Sequence, residues 1–217
     1  MSSAQEEWNM TVSVRLDRPA LLVVDMQNGF CHPAGSLARG GAPIAQCQAV
    51  ITPIAGLLAV TRAAAIPVIF TRFVYRADYA DGGILVSELR PHLKERRSLV
   101  HGDWDAEIVS ELAPRADEFV VDKNRFSAFY STNLETILRS LDIRTLIVCG
   151  VTTNMCVEST VRDAGQRDYR VYVVRDAVGE LDPARHEHAL RAMAFGFAFL
   201  VDRADIETAL QLGPGGS

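Results

Sequence analysis

Six short, nearly continuous apolar runs recur along the chain, and most are rich in Val, Ile and Leu. Such runs are typical of strands that are buried on both faces of a parallel sheet, where no side faces water. The first run ends in a carboxylate and the third in an ammonium group, so both strand ends are candidate functional positions. The predicted strands are residues 20–25, 67–72, 117–123, 144–150, 170–176 and 197–202.

The segments between these runs favour helices. Amphipathic or Ala-rich patterns predict helices at 42–65, 131–142, 154–168, 182–194 and 204–210. Pro53 indicates a break or a start within the first of them, and Asp182 followed by Pro183 is a typical helix start. Segment 73–113 reads as a long excursion with short helical pieces, including one at 105–113.

Alternating strands and helices predict an α/β fold. We expect a three-layer α/β/α sandwich around a six-stranded parallel sheet, Rossmann-like, with strand order 3-2-1-4-5-6. With 217 residues and no visible linker, the chain is expected to form one domain over 1–217. Residues 1–15 and 212–217 are expected to be flexible tails.

Composition excludes several classes of protein. The net charge is −5 and no basic stripe is present, so no nucleic-acid partner is expected. The first ten residues contain no apolar leader, and no long uncharged apolar run predicts a membrane span. We therefore expect a cytoplasmic protein whose four cysteines are reduced. No CxxC pair occurs, which argues against a structural zinc site.

Ligands of open parallel sheets bind beyond the carboxyl ends of the strands. The first predicted strand ends at Asp25, the third at Lys123, and the fourth is followed by "VTTNMC", which contains Cys156. Together these residues offer a base, a cation and a nucleophile at one sheet edge, as nucleophilic catalysis requires. Taken singly, Asp25 could equally cap the following turn, and Lys123 could be a surface residue.

Two cysteines lie close together in "IVCGVTTNMC". Cys149 sits within the predicted strand and is interpreted as a packing residue. Cys156 lies in the first turn of a predicted helix, where the helix dipole would lower the pKa of its thiol. From position alone, a nucleophile and a small buried residue remain equally good interpretations of Cys156.

Several stretches together resemble the isochorismatase-like cysteine hydrolases, which include nicotinamidases, N-carbamoylsarcosine amidase, biuret hydrolase and ureidoacrylate amidohydrolase. These stretches are "ALLVVDMQNGF", "VDKNRFSAFYSTNLETILRS", "TLIVCGVTTNMCVESTVRDA" and "VYVVRDAV". The resemblance implies a catalytic triad of Asp25, Lys123 and Cys156. It also implies hydrolysis of a C–N bond in a small linear amide or ureide through a thioester acyl-enzyme.

The same resemblance implies further features of the site. A non-proline cis peptide bond is expected between Val151 and Thr152, and the backbone N–H groups of Thr152 and Cys156 would form an oxyanion hole. Phe30, Phe126 and Val151 would contact the substrate. Assembly as a homodimer or homotetramer is also implied.

Two departures from the family narrow the expected activity. "FVYRADYADGG" after the second strand lacks the Asp-x-His pair with which nicotinamidases bind a metal, so no metal and no cofactor are expected. The presence of Cys156 argues against the ether-cleaving isochorismatases. A ureidoacrylate or biuret hydrolase is favoured, and a nicotinamidase- or maleamate-type amidase is the alternative.

A non-catalytic flavodoxin-like binding domain is the remote alternative. It is disfavoured because neither GxGxxG nor GxxxxGK[ST] occurs in the chain. The substrate pocket itself is not placed by the sequence. Arg72, Arg76, Arg125 and Trp104 are equally good candidates for substrate contacts and for surface or packing positions.

Overall fold

The computed structural model describes residues 13–212, and the six strands found there form one parallel sheet in the order β3-β2-β1-β4-β5-β6. The predicted strand order is therefore confirmed, and each strand lies within three residues of its predicted bounds. The strands are β1 (Pro19–Val24), β2 (Val68–Phe73), β3 (Phe119–Lys123), β4 (Thr145–Val151), β5 (Arg170–Gly179) and β6 (Phe199–Val201).

Helices connect the strands and cover the sheet. In chain order they are α1 (Asn28–Cys31), α2 (Ser36–Arg39), α3 (Ala45–Ala49), α4 (Ile51–Ala63), α5 (His92–Glu95), α6 (Leu134–Ser140), α7 (Glu158–Gly165), α8 (Pro183–Gly196) and α9 (Arg203–Leu212). Single π-helical turns occur at Leu85–Leu89 and Thr153–Val157, and 3₁₀ turns at Trp104–Ala106 and Ser110–Leu112.

The hydrophobic core lies on both faces of the sheet. Along β1, Leu21 and Val23 belong to one buried cluster, whereas Leu22 and Val24 belong to another. Successive side chains of a strand point to opposite faces, so a strand covered on both sides must be apolar at every position. This is the physical reason for the continuous apolar runs, and it confirms the predicted three-layer arrangement.

Two helical predictions need correction. The segment 105–113 is not a helix, because its backbone pairs with the chain after β1: Asn28 N–H donates to Glu107 O (2.8 Å) and Val109 N–H to Met26 O (2.9 Å). The predicted helix at 42–65 is divided into α3 and α4 at Val50. Pro53 lies in the first turn of α4, where a missing N–H leaves no helical bond unmade.

Other local predictions hold. Asp182 caps α8, since its Oδ1 accepts a hydrogen bond from Arg185 N–H (2.8 Å), and Pro183 follows as the first helical residue. Before α6, Thr132 Oγ1 accepts a hydrogen bond from Leu134 N–H (3.1 Å). The prediction started the helix at residue 131 and so included this capping hydroxyl. A cap precedes the helix, and α6 therefore begins three residues later than predicted.

Parts of the predicted tails fall outside the described residues, namely 1–12 and 213–217. Arg15, which lies within the first predicted tail, has its N–H bonded to the Tyr172 hydroxyl (2.8 Å). Within 13–212, no helix is long and apolar enough to cross a membrane.

Gly150 fixes the contact between the carboxyl ends of β1 and β4. Its φ is +119°, and a Cβ placed on it would lie 2.1 Å from Val24 O. Only glycine fits there, because any side chain would displace the β1 backbone or leave the allowed conformations of L-residues. The next residue after Val24 is Asp25, so Gly150 positions a predicted catalytic side chain.

Gly150→Ala is expected to lower the free energy of unfolding by more than about 3 kcal/mol, because it combines backbone strain with a clash at β1. Urea denaturation of purified protein measures this change. The matched control is Gly196→Ala at the end of α8, where an added Cβ meets nothing within 4 Å. It should alter stability by less than about 1 kcal/mol. Equal stabilities of the two variants would contradict the tight approach at Gly150.

Candidate active site

The structure brings the three predicted catalytic residues to one place at the carboxyl edge of the sheet. Asp25 follows β1, Lys123 ends β3, and Cys156 lies in the π-helical turn after β4. Lys123 Nζ lies 2.6 Å from Asp25 Oδ2, and both side chains are fully buried. The charges of Asp25 and Lys123 both act on the Cys156 thiol, which is also buried.

Asp25 is held by β2 as well as by Lys123. Thr71 Oγ1 donates a hydrogen bond to Asp25 Oδ1 (2.5 Å), and Asp25 N–H donates to Thr71 O (3.2 Å). Asp25 adopts a left-handed backbone conformation with φ +50°, which is uncommon for a residue other than glycine. Both carboxylate oxygens thus have a partner, which compensates for their removal from water.

Lys123 is kept charged inside the protein. Nζ donates a second hydrogen bond to Arg125 O (3.2 Å) and lies 4.4 Å from the centre of the Phe73 ring. Burial lowers the pKa of the ammonium, but the charge of Asp25, the charge of Cys156 once it is ionised, and the hydrogen bonds to both outweigh burial, so the pKa is raised. Lys123 therefore supplies a permanent positive charge to the site.

The expectation of a lowered pKa at Cys156 is wrong for this site. Burial raises the pKa of the thiol, Asp25 raises it further, and Lys123 only partly opposes them. The residues around it form a single π-helical turn, Thr153–Val157, before α7 begins. Desolvation by the surrounding protein outweighs the attraction of a helix end, so Cys156 is a neutral thiol beside a buried ion pair.

The peptide bond between Val151 and Thr152 is cis, as the resemblance implied. Thr152 and Cys156 both line one cavity of about 230 Å³. That the backbone N–H groups of these two residues form an oxyanion hole stays a prediction.

Aromatic side chains form much of the wall of this cavity. Phe30, Phe73 and Phe126 line it, so both predicted phenylalanines lie at the cavity, and their contact with a substrate stays a prediction. Val151 needs correction: it is fully buried in the cluster on the opposite face of the sheet and does not line the cavity. Its side chain points away because β4 alternates between the two faces.

Comparison with known proteins identifies the architecture. The isochorismatase domain model matches residues 19–205. The chain belongs to the isochorismatase family. Ureidoacrylate amidohydrolase RutB of Methylorubrum extorquens is 36% identical over 212 residues, covering 92% of this chain and 85% of that protein.

Two solved hydrolase structures share this fold. A cysteine hydrolase from Pseudomonas syringae pv. phaseolicola superposes with a TM-score of 0.82 at 32% identity, covering 93% of this chain and 99% of the other. N-carbamoylsarcosine amidase from Thermoplasma acidophilum gives a TM-score of 0.68 at 31% identity, with coverages of 85% and 96%. The residues matched by the family model, 19–205, include all six strands and the residues at the carboxyl edge of the sheet.

Several cavity residues of this family member were missed by sequence reasoning. They share a polar or charged side chain and come mainly from the excursion after β2 and the loop after β5: Tyr75, Arg90, His92, Arg96, Ser98, Asn154, Glu180 and Arg185. The excursion has no regular periodicity, so nothing in the sequence shows which of its side chains face inward. Glu180 was missed because β5 extends to Gly179, three residues beyond its predicted end.

The four residues left open as substrate contacts do not line the cavity. Arg72 pairs with Asp122 (2.8 Å), and Arg76 pairs with Asp78 (3.0 Å). Arg125 donates to the backbone carbonyls of Asp81 and Asn124, and Trp104 packs edge-on against His32. These contacts assign all four to packing and surface roles.

Glu180 holds the turn that carries Cys156. Its Oε2 accepts a hydrogen bond from Asn154 N–H (3.1 Å), and its Oε1 accepts from Leu181 N–H (2.9 Å) and Arg185 Nη2 (3.3 Å). The carboxylate is 1% exposed, so these donors compensate for its burial.

The remaining cysteines have structural positions. Cys31, Cys47 and Cys149 are buried free thiols, and Cys149 lies within β4. None of the three lines the cavity. Within residues 13–212, no group of three His, Cys, Asp or Glu side chains is arranged to hold a metal ion.

The raised pKa of Cys156 predicts how its alkylation depends on pH. The rate of modification by iodoacetamide should keep rising from about pH 7 to about pH 10, because the thiolate fraction is still growing above the ordinary thiol pKa. Peptide mass spectrometry follows the Cys156 peptide, and protein unfolded in urea is the control with an ordinary thiol. If the rate in the folded protein instead reached its plateau at a lower pH than in the unfolded protein, the pKa of Cys156 would be lowered.

Proposed function

We propose that this protein is a cysteine amidohydrolase that cleaves the C–N bond of a small, carboxylate-bearing ureide through a thioester on Cys156. The observation that carries the proposal is the buried Asp25–Lys123 ion pair, 2.6 Å between Nζ and Oδ2, acting on a thiol that lines a cavity. The predicted amidohydrolase class is confirmed by the relatives, which are ureidoacrylate amidohydrolases by name.

Proton transfer inside this site leaves its total charge unchanged. With a neutral Cys156, Asp25 carries −1 and Lys123 carries +1. After the thiol proton moves to Asp25, the thiolate carries −1 and Lys123 still carries +1. Loss of the proton to water would add a net negative charge to the site, and burial penalises this, which raises the thiol pKa. Transfer of the proton to Asp25 adds no net charge, so this penalty does not apply when the proton stays in the triad. The positive charge of Lys123 thus stabilises the thiolate in the absence of solvation by water.

The reaction proceeds in two halves. The Cys156 thiolate attacks the ureido carbonyl, and the N–H groups of Thr152 and Cys156 hold the developing oxyanion. Asp25 gives its proton to the leaving nitrogen, and a thioester remains. Asp25 then takes a proton from water, which hydrolyses the thioester. A ureide and one water yield an amine, ammonia and carbon dioxide, because the carbamate first released decarboxylates.

The charge at the cavity supports an acidic substrate. Arg90 and Arg96 line the cavity, and neither forms an ion pair within residues 13–212. The Glu180 carboxylate at the same cavity is already bonded to Arg185 and two backbone N–H groups. Two unpaired guanidinium groups favour a carboxylate. Ureidoacrylate carries one, whereas biuret is neutral, so ureidoacrylate is favoured over biuret.

We also propose a cytoplasmic location, supported by four buried free cysteines. Assembly into a homodimer or homotetramer is proposed from the family resemblance. Neither proposal changes the chemistry of the site.

Replacing the nucleophile is expected to remove turnover and leave the fold intact. Cys156→Ala should lower kcat by about 10⁴-fold or more, because no thioester can form. Circular dichroism checks the fold, and mass spectrometry of a quenched wild-type reaction should find an acyl adduct on the Cys156 peptide. The control is Cys149→Ala, a buried thiol outside the cavity, which should retain activity. Full activity of Cys156→Ala would refute a covalent mechanism.

Substrate charge is tested with a panel of ureidoacrylate, N-carbamoylsarcosine, biuret, nicotinamide and maleamate, following both ammonia and carbon dioxide. Arg90→Ala with Arg96→Ala should raise KM for ureidoacrylate by about 10- to 100-fold, because two charge-assisted contacts are lost. KM for neutral biuret should stay unchanged.

The control for this double variant is Arg97→Ala. Arg97 adjoins Arg96 but pairs with Asp103 (2.7 Å) and does not line the cavity. It should behave as wild type. A preference for biuret in the wild type would instead support a neutral-ureide hydrolase, and maleamate turnover without any ureide turnover would support the amidase alternative.

A further inference from the structure

The Tyr75 hydroxyl is a buried polar group without a partner. Tyr75 is 1% exposed, and its Oη has no hydrogen bond within residues 13–212. Buried hydroxyls in proteins are nearly always bonded, because an unmet donor costs free energy in the folded state. Tyr75 lines the same cavity as Cys156, which offers its hydroxyl a partner from a bound molecule.

The position of Tyr75 is fixed by its backbone and its ring. Its N–H donates to Leu99 O (2.9 Å), and its carbonyl accepts from His101 N–H (2.8 Å). The ring packs against Phe73 (5.2 Å between centroids) and Tyr79 (5.4 Å). A residue held by two backbone bonds and two ring contacts cannot easily turn, so its hydroxyl needs no reordering when a molecule enters the cavity.

Burial also keeps the phenol protonated. It raises the pKa of Tyr75, and the neighbouring Arg125 lowers it only in part. When Cys156 is ionised, its charge raises this pKa further, so the phenol stays protonated while the thiolate is present. Tyr75 therefore presents an O–H donor at neutral pH.

A second unpartnered atom lies in the same wall. Asn154 Oδ1 is buried without a hydrogen bond within the described residues, and Asn154 lines the cavity. Its backbone N–H is bonded to Glu180, which fixes the residue two positions before Cys156. The amide oxygen is an acceptor and needs an N–H.

We infer that Tyr75 and Asn154 bind the ureido substrate, Tyr75 Oη donating to a substrate oxygen and Asn154 Oδ1 accepting from a ureido N–H. A ureide carries both an oxygen acceptor and N–H donors, and binding satisfies the two groups that the protein leaves unpaired. This inference rests on the proposed function, and it assigns both residues as positioning residues that do not take part in bond making. It adds a polar recognition pair to the arginines at the same cavity.

Tyr79 offers a matched comparison. Its hydroxyl donates to Ser98 O (2.7 Å) and Leu93 O (3.2 Å), and Tyr79 does not line the cavity. The two tyrosines are neighbours on one segment, yet one hydroxyl is used by the fold and the other is not. Removing each should therefore affect different properties.

The experiment compares Tyr75→Phe, Tyr79→Phe and Asn154→Ala by melting temperature and by steady-state kinetics with the ureide that the wild type turns over best. Tyr75→Phe should keep or raise the melting temperature, because an unpaired buried hydroxyl is removed, while KM rises about tenfold. Tyr79→Phe should lower the melting temperature by about 2–4 °C and leave KM unchanged. Asn154→Ala should raise KM by a similar factor.

Binding to the Cys156→Ala protein separates affinity from turnover. Calorimetry with the same ureide should give a Kd about tenfold higher when Tyr75→Phe is added to this protein. A lower melting temperature for Tyr75→Phe with unchanged KM and Kd would overturn the inference and leave the proposed function standing. Failure of the wild type to hydrolyse any ureide in the panel would overturn the proposed function and this inference with it.

Discussion

The buried ion pair between Asp25 and Lys123 is the constraint on which the site depends. The two residues are 98 positions apart in sequence and meet across three adjacent strands, with Thr71 on the middle strand bonded to the carboxylate. A fully buried charge without its partner would destabilise the fold by about 3–5 kcal/mol. The pair is therefore present only when β1, β2 and β3 are in register, so the correct sheet and the assembled site form together.

The same pair determines how the nucleophile works. A thiol that is buried and next to a carboxylate is a poor source of thiolate in the absence of substrate, which protects it from casual alkylation and oxidation. In the proposed mechanism, activation is coupled to proton transfer within the triad, where Lys123 compensates whichever atom is negative. The thiolate would then form at the step where a carbonyl is present, in a cavity whose wall includes Phe30, Phe73 and Phe126.

Sequence reasoning was strongest where one physical rule controls the pattern. Central strands buried on both faces are apolar throughout, so such runs were recognised as strands, and their order followed from the expected Rossmann-like topology. The charges that end the first and third apolar runs marked Asp25 and Lys123. It was weaker where tertiary contacts override local pattern. The stretch 105–113 reads as a helix, but Asn28 and Val109 make backbone bonds that pair it with the chain after β1.

Arg90, Arg96 and Tyr75 could not be found, since no local rule determines which side chains of an irregular excursion face a cavity. The pKa of Cys156 was misjudged because the depth of burial is a property of the whole fold.

Apart from Asn154, which shares a turn with Cys156, the proposed recognition groups come from a different part of the chain than the proposed catalytic groups. Asp25, Lys123 and Cys156 stand at strand ends, where sheet register fixes them, while Tyr75, Arg90 and Arg96 belong to an excursion bound to the sheet edge through bonds such as Tyr75 N–H to Leu99 O. Because these residues lie outside the strand ladders, substitutions among them are expected to leave the strand register unchanged. The scaffold can accordingly acquire a new substrate through its excursion while the reaction at the sheet edge stays the same, which makes the two properties separable in evolution and in protein engineering.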